Sequence, residues 1–137
     1  MRNLSAYCVF ISSVVIFLAV SACSQDEEFV FEGTVSIEAQ DSSLVIFNQT
    51  NATIYVFAIE QETSNAVDLR FCDDPNDCVH TAIKPGDSKE IPHTSILGWK
   101  PGAVVLVYLY YLTESSSSDS GYRAVGLPMQ TVEMPFE

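Results

Sequence analysis

Ala103-Val104-Val105-Leu106-Val107-Tyr108-Leu109-Tyr110-Tyr111-Leu112 decides the fold of this 137-residue chain. β-Branched and aromatic residues dominate the run, no charge interrupts it, and Lys100-Pro101-Gly102 bounds it upstream. Such side chains fit a pleated surface, and this stretch reads as a strand. It is apolar on both faces. That pattern predicts a central strand covered on both sides, or one that turns a face to a partner.

Outward from it, the chain alternates short apolar runs with turn chemistry. Downstream, residues 115–121 are a polar, serine-rich loop, and residues 122–127 and 130–134 read as two further strands. Upstream, residues 94–97 suggest one helical or 3-10 turn. Lys84-Pro85-Gly86-Asp87 is a strong turn, because Pro presets φ and Gly accepts a positive one. It separates strands expected at 79–83 and 88–91. Residues 66–71 lead into a loop, and 60–65 form a polar connection. Residues 44–47 and 54–59, joined by Asn48-Gln49-Thr50-Asn51-Ala52, read as a hairpin. Residues 34–39 suggest an edge strand.

About seven to nine short strands with frequent turns predict an all-β domain over residues 34–137. The expected architecture is an antiparallel β-sandwich, immunoglobulin-like in the broad sense. A small β-barrel is the alternative. The Cys…Trp…Cys spacing of true immunoglobulin domains is missing, since Trp99 follows both Cys72 and Cys78.

The formal net charge is −12. Nucleic-acid binding depends on clustered Lys and Arg, and the basic residues here, Arg70, Lys84, Lys89, Lys100 and Arg123, are scattered. An acidic surface also repels anionic headgroups, so membrane attachment calls for an anchor.

The N-terminus supplies one. Met1-Arg2-Asn3 is a short positive start, residues 4–20 carry no charge, and Ser21-Ala22 precede Cys23. These are the parts of an export signal over residues 1–22. Val20-Ser21-Ala22-Cys23 resembles the lipobox of bacterial lipoproteins. That resemblance implies a diacylglycerol on the Cys23 thiol and a fatty acid such as palmitate on its freed amine. Two or more acyl chains hold a protein on a bilayer essentially permanently. Two other readings stay open: an ordinary signal peptide cut near Ala22, or a retained transmembrane helix.

Residues 23–33 read as the lipidated Cys and an acidic tether. Ser24-Gln25-Asp26-Glu27-Glu28 resembles the acidic signal that sends some lipoproteins to the cell surface. Ser24 also stands where an Asp favours inner-membrane retention. The implied location is the outer membrane, facing the periplasm or the cell surface. Asn48, residues 54–60, the Cys72–Cys78 loop, the Pro85-Gly86 turn and residues 104–111 together resemble small uncharacterised exported lipoproteins, a likeness that implies no activity.

With Cys8 in the leader and Cys23 lipidated, Cys72 and Cys78 remain as an even pair, expected as a disulfide in an oxidising compartment. The enclosed Asp73-Asp74-Pro75-Asn76-Asp77 is turn chemistry that returns the chain to bonding distance. Zinc on Cys72, Cys78 and His80 would need a fourth ligand that is not evident. Calcium on Asp73, Asp74, Asn76 and Asp77 would lack the alternating oxygen spacing of an EF-hand.

His80 and His93 are the chain's two imidazoles, and no nucleophile elbow, zincin pair or phosphate loop accompanies them. Glu60 and Glu62 read as a solvated pair. No cofactor is implied and no enzyme is expected. Tyr55 and Phe57 share one strand face, as do Tyr108 and Tyr110. If exposed, these four offer a platform for a glycan or an envelope protein; otherwise they pack. The reading is therefore a membrane-anchored binding or envelope-structural module. The alternative is a small hydrolase or metal-dependent module using His80, His93 and the 73–77 loop.

Overall fold

Side-chain alternation along one strand organises the molecule, of which the computed structural model describes residues 28–135. That strand, β6 (Val104–Glu114), sends Val105, Val107 and Leu109 into the main core and Leu106, Tyr108 and Tyr110 to the opposite face. The other strands are β1 (Gly33–Ala39), β2 (Ser43–Thr50), β3 (Ile54–Glu60), β4 (Thr81–Ile83), β5 (Ser88–Pro92), β7 (Tyr122–Gly126) and β8 (Gln130–Glu133). A one-turn helix, α1 (Gln61–Ser64), follows β3, and a 3-10 turn spans His93–Ser95. Cys23, the leader and the first residues of the acidic tether lie outside the described residues.

Two antiparallel sheets form the sandwich: β1-β2-β5 faces β4-β3-β6-β7, with β8 also pairing β6. First, second and fifth strands opposing fourth, third, sixth and seventh is an immunoglobulin-type order, the fourth strand lying beside the third as in variable domains. β6 is central, bonded to β3 on one side and to β7 and β8 in succession on the other. Pro128, lacking an N–H, falls where β7 gives way to β8.

Leu44, Ile46 and Ile91 of the first sheet meet Ile54, Val56, Val105, Val107 and Leu109 of the second. At roughly 1.5–3 kcal/mol per fully buried aliphatic side chain, this layer is the main source of stability.

The expected hairpin between residues 44–47 and 54–59 does not form. β2 runs on to Thr50 and stays in the first sheet, while β3 begins the second, where β4 and β6 occupy both its edges. The Pro85-Gly86 turn likewise joins β4 of one sheet to β5 of the other, closed by the Asp87 N–H on the Lys84 carbonyl at 3.1 Å.

Asn48 holds both corners. Its buried Nδ2 donates to the carbonyls of Ala52 (2.8 Å) and Ile83 (2.9 Å), and its Oδ1 accepts from the Thr50 N–H and hydroxyl. Its backbone bonds to Gly86 and Asp87. A carboxamide with every polar atom satisfied costs little to bury and brackets the sheets in one register. Residues 66–71 form no strand.

Part of the expected tether is docked. Phe31 stacks on Tyr111 at 4.6 Å, and Asn51 accepts from the Glu32 N–H while donating to the Val30 carbonyl. Gly33 then enters β1 at φ 101°, where a Cβ would collide with the Gln49 carbonyl oxygen, so only glycine fits.

Candidate functional site

The outer face of the second sheet is covered by the chain's own disulfide loop. The register sets Tyr55 opposite Tyr110 and Phe57 opposite Tyr108, so all four predicted platform residues share that face. Tyr110 is fully buried and Tyr55 nearly so, while Phe57 and Tyr108 are half-buried. Phe71 stacks on Tyr110 at 4.4 Å, and Tyr55 lies against it at 5.4 Å. The buried half of the expected platform thus already has an occupant.

Cys72 and Cys78 are joined as a disulfide, their Cα atoms 5.4 Å apart. Asp74 Oδ1 accepts from the Asn76 N–H at 2.8 Å, the local turn that short polar residues favour. The Ser120 hydroxyl donates to the Asp73 carbonyl at 2.7 Å, tying the loop to the β6–β7 connection.

At the centre stands the Tyr110 hydroxyl. It accepts the Cys72 N–H at 3.0 Å, lies 2.6 Å from His80 Nδ1, and is 3.4 Å from Cys78 Sγ. The His80 ring packs against Phe57 at 5.1 Å and edge-on to Tyr110 at 5.7 Å. Burial holds the imidazole below its ordinary value, favouring the neutral form. Burial likewise raises the Tyr110 phenol, against the opposing pull of the Cys72 N–H. The result is a neutral imidazole, a neutral phenol and two sulfurs in mutual contact.

His93 belongs elsewhere. It is buried after β5 and stacks on Trp99 at 4.7 Å, and neither His93 Nε2 nor Trp99 Nε1 has a hydrogen-bond partner among the described residues. Among the described residues the ring of His80 has Tyr110 and Phe57 as partners and that of His93 has Trp99, with none shared. Asp73, Asp74 and Asp77 form no group of three close ligand atoms among the described residues; the group that does gather is Cys72, Cys78 and His80.

Glu60 is not solvated. Its buried carboxylate caps α1, accepting the Glu62 N–H at 2.9 Å and the Thr63 N–H and hydroxyl at 2.8 Å. Those bonds, with the Glu62 N–H first, and the nearby Lys100 charge hold it below the usual carboxylate range against the penalty of burial. Glu62 pairs with Lys100 at 2.7 Å on the surface.

An open groove of about 420 Å³ lies where the N-terminal segment meets the sandwich, lined by Phe29, Tyr55, Pro75, Leu112 and Tyr122 among others. Phe71, Asn48 and Glu60 carry structural roles that no motif announced. The one available signal was for Phe71, an apolar residue directly before a predicted disulfide.

In comparisons with known proteins, no family model matches this chain, nor does any curated protein or any solved structure.

Proposed function

We propose that the chain is an exported lipoprotein, anchored through Cys23 in the outer membrane, whose sandwich is a binding or envelope-structural module. The observation that carries this reading is the Cys72–Cys78 disulfide. Structural disulfides persist in oxidising compartments, which agrees with the leader and lipobox read from residues 1–23.

The docked N-terminal segment adds a geometric consequence. With Phe29 lining the groove and residues 30–32 held by Asn51, Cys23 lies six residues before the docked segment. Six residue steps span at most about 20 Å. The pole carrying the groove then stays near the bilayer, with the Phe29 ring exposed at that surface.

Replacing Cys23 by Ser tests the reading. Unprocessed precursor should accumulate and the membrane-bound mature form should disappear on fractionation. Normal maturation and unchanged partitioning would overturn it. The hydrolase arrangement draws no support from the geometry, since the rings of His80 and His93 have no hydrogen-bond or stacking partner in common among the described residues.

A further inference from the structure

One ligand atom from each of Cys72, Cys78 and His80 lies within 4.8 Å of the other two, and all three residues are half-buried. We propose that on reduction of the disulfide these side chains form a binding site for copper(I), with the disulfide as its gate.

The donor set selects the ion. Two thiolates and an imidazole are soft and borderline ligands, suited to copper(I) or zinc. Structural zinc sites close with four protein ligands. Here no fourth His, Cys, Asp or Glu joins the group among the described residues. Three donors satisfy copper(I), which accepts trigonal coordination.

The site is held in place without the covalent link. The Cys72 N–H stays bonded to the Tyr110 hydroxyl, the Ser120 hydroxyl fixes the Asp73 carbonyl, and the Asp74–Asn76 turn folds the loop back. Tyr110 also holds the His80 ring beside the two sulfurs through its bond to Nδ1. Tyr110 is itself fully buried beneath Phe71.

The chemistry balances with an external dithiol as reductant. The dithiol passes two electrons and two protons to the Cys72–Cys78 bond, leaving two thiols and the oxidised donor. Copper(I) then displaces both thiol protons and takes a lone pair from the imidazole. In the disulfide state neither sulfur is a thiolate, so the site is closed. Redox state thus controls occupancy. None of this depends on the Cys23 anchor.

The test uses the full chain in detergent, oxidised or pre-reduced, competing anaerobically against a chromophoric copper(I) chelator. The reduced protein should withdraw one more copper(I) per chain than the Cys72→Ser/Cys78→Ser variant, which retains Cys8 and Cys23. The oxidised protein should withdraw no more than that variant. His80→Ala and His80→Gln should each weaken copper binding at least tenfold, with near-ultraviolet dichroism of the tyrosines confirming the fold. Equal uptake by reduced wild type and the double variant would overturn the site. Undiminished affinity in both folded His80 variants would remove the imidazole and with it the proposal. Zinc(II) held in preference to copper(I) by the reduced protein would overturn the choice of ion.

Discussion

The two faces of the β3–β6 pair are built on different principles. The inner face is aliphatic and meets another sheet: Ile54, Val56 and Ala58 with Val105, Val107 and Leu109. The outer face is aromatic and meets a loop with little regular structure, seated by Phe71, a phenol hydroxyl and a crosslink. The inner layer is non-directional and draws on buried area. The outer layer has less regular backbone to lock it, so it relies on directed bonds to Tyr110. Stability should therefore reside mainly inside, and adjustable chemistry outside.

Breaking the inner face should cost most. Leu109 is 1% exposed within the aliphatic layer, and Leu109→Ala should destabilise by about 3 kcal/mol through lost burial and a residual cavity. The melting temperature should fall by roughly 15 °C, read by calorimetry. The disulfide loop should stay seated, so near-ultraviolet tyrosine dichroism at low temperature should be retained. A loss smaller than that of the disulfide variant would invert the comparison.

Breaking the outer face comes second. Cys72→Ser/Cys78→Ser releases a short loop, worth about 2 kcal/mol on the chain-entropy model. Phe71 sits immediately before Cys72, so the loop should open more often, while the Cys72 N–H and Asp73 carbonyl bonds return it to its seat. Limited proteolysis should then cut within residues 66–80 before it reaches any strand. First cleavage in β1 or β5 instead would show that the loop does not report on the outer face.

Much of this contrast was legible in the sequence. The uncharged β6 run announced a strand either covered on both sides or turning one face to a partner, and the turn residues between Cys72 and Cys78 announced a closed loop. Alternation placed Tyr55, Phe57, Tyr108 and Tyr110 on shared faces. Connectivity was not legible, because a corner between sheets and a hairpin turn use the same Asn, Pro and Gly chemistry. Asn48 decides between them through bonds to Ala52, Ile83, Gly86 and Asp87, and the last three lie far along the chain and leave no local signature. The meeting of His80 with Tyr110 spans 30 residues, and it too depends on where the loop folds back.

The smallest effect lies where the inner row ends. Glu60 continues the alternation of Ile54, Val56 and Ala58, opposite Val105, yet its carboxylate turns to cap α1 instead of joining the aliphatic layer. Those bonds favour the ionised form, so its folded value lies below the ordinary 4.5. Well above 4.5 both states are ionised and the cap contributes fully. As pH falls through 4.5 the unfolded chain takes up a proton that the folded chain still refuses, and stability drops until the folded value is passed. Glu60→Gln keeps one acceptor oxygen and loses the charge. Urea midpoints should therefore differ most at neutral pH, and the gap between wild type and variant should narrow below pH 4.5. Differencing the two proteins cancels the other carboxylates they share. A gap independent of pH would assign the cap to hydrogen-bond geometry alone, leaving charge with no part in ending the inner face.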